Sequence, residues 1–204
     1  MLLCINNYFK KMASIKGTQT EKNLLKAFAG ESQARNKYTY FASQARKDDY
    51  PTIAAIFEET ANHEKEHAKR FFKFLEGGEV TIESTYPAGV VGTTLENLVA
   101  AVNGEHEETA KMYPEMAKVA REEGFELIAK VFESVAQAEA YHEARYRKLI
   151  ADVETQKIFK KEGKKVMWKC TNCGYHTIAE EAPVVCPACG HRHEYFIEVD
   201  ETLF

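Results

Sequence analysis

The sequence lacks a long apolar run and lacks any excess of basic charge. None of its apolar stretches reaches the roughly 20 residues that a helix needs to cross a bilayer. The 27 basic and 31 acidic residues give a net charge of −4, so we expect no positively charged surface of the kind that binds nucleic acid or an anionic membrane. We therefore predict neither nucleic acid nor a membrane as a partner.

The beginning of the chain has no basic segment followed by an apolar core, which a secretory signal peptide would have. We therefore expect a cytoplasmic protein. Met12 opens a plausible alternative start, and residues 1–12 are predicted to be a mobile N-terminal extension. The 204 residues suffice for one sizeable core and a small further module.

Apolar periodicity and helix-end signals predict four helices within residues 13–153. They run from a Thr20 cap to about Lys47, from Pro51 to Gly77-Gly78, from Thr94 to Glu122 and from Phe125 to Val153. Pro114 predicts a kink or a break in the third helix, because proline removes a backbone donor. The connection over residues 77–93 is long enough to travel the length of a helix at roughly 3.3 Å per residue. One such crossover is typical of ferritin-like four-helix bundles.

Two segments of the chain repeat one potential metal-binding pattern, a glutamate followed 33 or 34 positions later by Glu-x-x-His. The residues are Glu31, Glu64 and His67 in the first segment and Glu105, Glu139 and His142 in the second. Residues 57–70 and 132–145 also share identical residues at a constant offset of 75 positions. The pattern therefore indicates an internal duplication.

Residues three apart lie on nearly the same face of a helix, so Glu-x-x-His can offer a metal both an oxygen and a nitrogen. Ferritin-like di-iron and di-manganese proteins use one glutamate from each of two helices and Glu-x-x-His from each of two others. The sequence therefore predicts a two-metal carboxylate site inside the bundle. Histidines outside the repeat are expected at the surface or in structural roles: His63, His106, His176, His191 and His193.

Four of the five cysteines form two Cys-x-x-Cys-Gly motifs, at Cys170 and Cys173 and at Cys186 and Cys189. The glycine permits a tight knuckle, and two knuckles can close a tetrahedral four-thiolate site. In a cytosolic chain this spacing favours a metal over disulfides, and the residues alone suit iron and zinc equally. Residues 154–166 are predicted to be a linker, and residues 167–204 a separate β-rich module.

The ordered set of motifs, which also includes Glu105-x-x-Glu108, resembles the rubrerythrin family. The resemblance implies a mainly α protein: a ferritin-like bundle with a di-iron centre, followed by a small rubredoxin-like domain with one iron on four cysteines. It implies a non-haem di-iron peroxidase that reduces hydrogen peroxide to water in oxidative-stress defence. Electrons would come from an NAD(P)H-dependent reductase through the rubredoxin-type iron. The resemblance also favours a homodimer.

Individual roles follow from the same resemblance. One iron would be held by Glu31, Glu64 and, when reduced, His67, and would move to Glu108 when oxidised. The other would be held by Glu105, Glu139 and His142, with Glu64 and Glu139 bridging the pair. Tyr38 and Tyr113 follow the glutamates of their segments by seven and eight positions, and we expect their hydroxyl groups to orient a carboxylate or a bound peroxide.

Two other functions fit parts of the sequence. A ferritin-like iron-oxidising or storage protein would need the bundle alone, and it predicts a hollow shell of many subunits. A non-enzymatic zinc-ribbon module on a helical scaffold would need only the cysteines, and it predicts a protein without a red, reducible iron–sulfur absorption.

Overall fold

The computed structural model describes residues 13–155 and 157–199, so the predicted extension lies outside the described residues. Helices dominate: α1 (Gln19–Lys47), α2 (Pro51–Phe72), α3 (Thr94–Glu107), a π-helix (Glu108–Met112), α4 (Tyr113–Glu122) and α5 (Glu126–Glu154). Helix α1 packs along α2, and α3 and α4 pack along α5. The predicted mainly α bundle is confirmed. Among the described residues, no helix combines the length and the apolar character that crossing a membrane requires.

The first helix begins earlier than predicted. Thr18 is the N-cap, and its hydroxyl oxygen accepts a hydrogen bond from the backbone N–H of Glu21 at 3.1 Å. Thr20 lies inside the helix, where its hydroxyl donates to Oε2 of Glu123 at 2.6 Å. The prediction of Thr20 as the cap was wrong because that hydroxyl is engaged by a residue more than 100 positions away.

The third predicted helix is interrupted just before Pro114 by the π-helix. A π-helix accommodates one extra residue in a helical turn. The second segment has one extra position between Glu105 and Tyr113, compared with the interval between Glu31 and Tyr38. Because the π-helix absorbs that residue, Tyr113 still faces the interior of the bundle, where it is fully buried.

Apolar side chains fill both ends of the bundle. One cluster includes Leu24, Phe71 and Phe132, and the other includes Phe41 and Phe57. Along each helix, the glutamates predicted to bind metal lie between residues of these two clusters. The clusters therefore enclose a polar layer in the middle of the bundle, where bulk water has little access.

The segment between α2 and α3 has no helix or strand over residues 76–93. It passes close to α1, where the hydroxyl of Tyr86 donates to the backbone carbonyl of Lys26 at 2.7 Å. The N-cap of α3 is Thr93, which forms a capping box with Glu96. The long crossover therefore ends in a well-defined helix start.

The C-terminal module contains a three-stranded antiparallel sheet in the order β2-β1-β3. Its elements are β1 (Val166–Cys170), β2 (His176–Ala179), β3 (Phe196–Val199) and a 3-10 helix (His193–Tyr195). Trp168 and Phe196 are buried at its centre. Phe159, within the predicted linker, also packs on this core, and its carbonyl accepts from the N–H of Ala182 at 2.9 Å. Part of the proposed linker therefore belongs physically to the module.

Candidate metal centre

The six side chains of the repeated pattern meet in the polar layer of the bundle. They form two overlapping groups whose potential ligand atoms lie within 4.8 Å of one another. The groups are Glu31, Glu64, His67 and Glu139, and Glu64, Glu105, Glu139 and His142. Only His67 is appreciably exposed, at 17% of its side chain. The shared members, Glu64 and Glu139, can therefore contact both of two neighbouring ions.

The two histidines contact different oxygens of the shared carboxylates. Nδ1 of His67 lies 2.8 Å from Oε1 of Glu139 and 3.0 Å from Oε2 of Glu64. Nδ1 of His142 lies 2.6 Å from Oε2 of Glu139 and 3.4 Å from Oε1 of Glu64. Each imidazole therefore directs Nδ1 at the carboxylate layer.

Several buried polar atoms of this layer make no hydrogen bond of good geometry, although some lie close to one another. They include Glu31 Oε2, Glu64 Oε1, Glu105 Oε2, both carboxylate oxygens of Glu139 and His142 Nδ1. Buried unpaired polar atoms of this kind are costly unless a cation satisfies them. The oxygen and imidazole donors suit iron or manganese ions, so the residues fit a two-metal centre.

The charges of the layer act strongly on one another. Burial, followed by the neighbouring carboxylates, holds the pKa of Glu31 and of Glu64 well above the usual range. Burial also opposes ionisation of His142, but the adjacent carboxylates of Glu105 and Glu139 raise its pKa to about 9. Burial would raise the pKa of Glu139, yet its histidine partners lower it to about 2. Without metal, protons partly take the place of cations.

Tyr38 and Tyr113 reach the layer from its two ends. The hydroxyl of Tyr38 donates to Oε1 of Glu105 at 2.5 Å, and the hydroxyl of Tyr113 donates to Oε1 of Glu31. Burial and nearby carboxylates raise the pKa of both phenols well above the usual range, so each keeps its proton. Each tyrosine can therefore hold a carboxylate in one orientation.

Glu108 belongs to neither group of potential ligands, although the family resemblance implies that it binds one metal when that metal is oxidised. It lines a cavity of about 1000 Å³ between α1, α3, the π-helix, α4 and the crossover. Lys37 and Lys111 line the same cavity. Burial and then the charge of Glu105 raise the pKa of Glu108 well above the usual range. In this arrangement His67 points into the ligand layer, and Glu108 remains beside it.

His63 is a neighbour of the site that the sequence did not indicate. Its Nδ1 lies 3.0 Å from Nε2 of His142, although we expected a surface or structural histidine. The position 75 residues later is Ala138, so the repeat carries no signal for this residue. The one signal in the sequence is that His63 lies four residues before His67 on α2, which places both side chains on the same face of that helix.

The four cysteines of the C-terminal module also converge. Sγ of Cys170 lies 3.8 Å from Sγ of Cys189, and Sγ of Cys173 lies 3.6 Å from Sγ of Cys186. These separations exclude disulfides, whose sulfurs are about 2.05 Å apart, and all four ligand atoms lie within 4.8 Å of one another. The expected knuckles are present, since Gly174 and Gly190 have φ angles of 81° and 75°.

Backbone amides stabilise negative charge on the sulfurs. A hydrogen bond from the backbone of His191 is the main cause that lowers the pKa of Cys189 to about 6. A similar bond from Tyr175 acts on Cys173, but the neighbouring thiols outweigh it and raise that pKa to about 12. One thiolate thus forms readily, and the set suits a tetrahedral metal ion.

Comparison with known proteins agrees with both sites. Residues 22–150 match the family model described as Rubrerythrin, and residues 168–197 match the one described as Rubrerythrin, rubredoxin-like domain. Rubrerythrin of Porphyromonas gingivalis is 55% identical over 183 residues, which cover 90% of this chain and 91% of the relative. Rubrerythrin of Nitratidesulfovibrio vulgaris is 51% identical over 185 residues, which cover 91% of this chain and 96% of the relative.

Solved structures agree as well. The structure titled as the partially reduced state of nigerythrin superimposes with a TM-score of 0.59 at 31% identity. The match covers 93% of this chain and 89% of that chain. The bundle thus carries a ferritin-like di-iron site, and the C-terminal module carries a rubredoxin-like four-cysteine site. The chain belongs to the rubrerythrin family.

Proposed function

We propose that this protein is a non-haem di-iron peroxidase that reduces hydrogen peroxide to water. In the overall reaction one peroxide takes up two electrons and two protons and yields two water molecules. The proposal is supported most by one juxtaposition: Glu108, a further carboxylate, lines a large cavity next to the buried six-ligand centre. A structural metal site would have no use for an additional ligand at an open cavity.

The side chains of the bundle hold the centre and control its surroundings. Two iron ions held by this layer would supply the two electrons that peroxide needs, one from each ion, so that no hydroxyl radical would be released. Glu64 and Glu139 belong to both ligand groups and so set the distance between the two metal positions. The phenols of Tyr38 and Tyr113 keep Glu105 and Glu31 oriented.

His67 and Glu108 are alternative ligands for one metal position. A ferrous ion tolerates a neutral imidazole, whereas a ferric ion gains more from an anionic oxygen. His67 occupies the ligand layer here, and Glu108 lies at the cavity wall. We propose that exchange between them accompanies oxidation, and that peroxide enters through this cavity.

The four-cysteine module is the proposed entry point for electrons. Cys173 is exposed and Cys189 is partly exposed, so a donor protein can approach this edge of the site. We propose an NAD(P)H-dependent reductase as the donor and a cytoplasmic homodimer as the working assembly. A storage protein of ferritin type would not need such a module.

The test compares Glu108→Ala with Glu122→Ala, an exposed carboxylate outside the cavity, in full-length protein loaded with iron without oxygen. We expect Glu108→Ala to lower peroxide consumption by about 10- to 100-fold while two irons stay in the bundle. Glu122→Ala should keep the parent rate. An unchanged rate in Glu108→Ala would refute the proposed role. Mineral formation in a shell of many subunits would instead support iron storage.

A further inference from the structure

The two nitrogens of the His142 ring face different surroundings. Nδ1 is directed at the carboxylates of Glu139 and Glu64. Nε2 is directed at Nδ1 of His63, 3.0 Å away. The ring planes are within 10° of parallel and their centres are 5.2 Å apart. Since the nearest nitrogens are much closer than the centres, the rings meet at their edges, in a geometry that suits an N–H···N hydrogen bond.

This geometry determines the tautomers when a metal is bound. A neutral histidine that coordinates through Nδ1 carries its proton on Nε2. Nε2–H of His142 can then donate to Nδ1 of His63, which lies within hydrogen-bond distance. Histidine ligands commonly donate their second N–H to a fixed acceptor, which sets the orientation of the ring and increases its basicity.

The other histidine ligand, His67, lacks a histidine at the repeat position that corresponds to His63. By the offset of 75, the counterpart of His63 is Ala138, which has no side chain that can accept a hydrogen bond. Ala138 and His67 line a surface depression of about 400 Å³, together with His63 and His142. The side chain of His67 is 17% exposed, whereas that of His142 is 3% exposed. The duplicated site is therefore asymmetric at this one pair of positions.

We propose that His63 is a positioning residue that fixes the ring of His142, so that His142 is the stationary imidazole and His67 the movable one. This inference rests on the proposed di-iron function. The exchange between His67 and Glu108 requires one imidazole that leaves its metal position and one that does not. Ala138 leaves room beside His67, and His63 provides a hydrogen-bond acceptor for His142.

The test uses the metal-free full-length chain titrated with Co²⁺, whose absorption distinguishes carboxylate–imidazole sites from thiolate sites. His63→Ala removes the acceptor, His63→Gln restores one through its amide oxygen, and Asn62→Ala is a control at the exposed neighbouring position. We expect His63→Ala to weaken one of the two bundle cobalt equivalents by about 10- to 100-fold and to change its spectrum. His63→Gln should recover most of the affinity, and Asn62→Ala should match the parent.

Proton NMR of the cobalt-loaded protein reports on the bond itself. The shifted Nε2–H signal of His142 should exchange slowly with water in the parent chain and rapidly in His63→Ala. Unchanged cobalt affinity, spectrum and exchange in His63→Ala would overturn the inference and leave the di-iron site intact. If His63→Ala fails to fold, His63→Gln provides the test. The inference requires that His63→Gln binds cobalt with nearly the affinity of the parent chain. A parent chain that binds no cobalt in the bundle would overturn the proposed function as well.

Discussion

The hydroxyl of Tyr38 on α1 donates to Oε1 of Glu105 on α3 at 2.5 Å, and so connects the two halves of the duplicated chain. Tyr113 makes the reciprocal bond to Glu31. Each half thus supplies a phenol that orients a carboxylate of the other half. The site depends on both halves at once, because neither half can orient its own first glutamate in this way.

Removal of either phenol should destabilise the metal-free protein. Tyr38→Phe and Tyr113→Phe each leave a buried carboxylate oxygen without its donor, and we expect the free energy of unfolding to fall by about 1–3 kcal/mol. Urea denaturation in the presence of a chelator measures this change. Tyr40→Phe is the matched control, since Tyr40 is 56% exposed. Equal stability of all three variants would contradict the importance of these bonds.

The metal-free protein should lose stability as the pH rises from about 6 to 9. Burial opposes protonation of His67 and His142, but partner carboxylates raise their pKa values to about 8 and about 9. Their stabilising contribution is complete below the unfolded pKa near 6.5 and is lost as the pH passes the folded values. Glu31 and Glu64 act in the same direction, because their raised pKa values also mean that the folded state binds more protons.

Metal should remove most of this pH dependence, because cations take the place of the bound protons. Thermal unfolding at pH 6, 7.5 and 9, with and without Co²⁺, measures the effect. We expect cobalt to raise the melting temperature more at pH 9 than at pH 6. A metal-free protein whose stability increases over this range would contradict the assigned ionisation of the layer.

Two carboxylates cap helices that are distant in sequence. Glu123 accepts hydrogen bonds from the backbone N–H groups of Gln19 and Thr20, and Asp48 accepts from that of Thr94. Loss of such a cap costs about 1 kcal/mol, so Asp48→Ala and Glu123→Ala should each lower the free energy of unfolding by this amount. Glu122→Ala, at an exposed neighbouring position, should have little effect.

The stabilisation that Glu123 provides should decrease in acid. Hydrogen bonds from Thr20 lower the pKa of Glu123 below its ordinary value of 4.5. The stabilisation is therefore present above the unfolded pKa and is lost as the pH falls through the lower folded value. Denaturation between pH 5 and pH 3 should show a smaller loss in Glu123→Ala than in the parent. An equal loss would indicate that Glu123 makes no such contribution.

The six side chains of the repeated pattern lie together as the sequence led us to expect, because the duplication presents the same pattern twice. Glu64 and His67 recur at Glu139 and His142, and helical spacing brings each pair to one face. The position of His63 beside the site was not predicted, because the corresponding position in the second segment is Ala138. Its role depends on a contact between two helices, which spacing within one helix does not specify.

Helix ends and interruptions were predicted less well. Pro114 indicated a break, but the π-helix that begins at Glu108 depends on how the extra residue is accommodated against α5. The prediction that Thr20 caps the first helix was wrong because the hydroxyl of Thr20 donates to Glu123 instead. Such features are decided by tertiary contacts between distant residues, and local sequence preference alone does not determine them.

The iron content of protein reconstituted and purified without oxygen tests the central claim most directly. The three ligand groups predict three irons per chain, two shared among the bundle ligands and one on the cysteines. Glu64→Gln combined with Glu139→Gln should leave only the cysteine-bound iron, and Cys173→Ser combined with Cys186→Ser should leave only the two in the bundle. Three irons retained in the double glutamate variant would contradict the account.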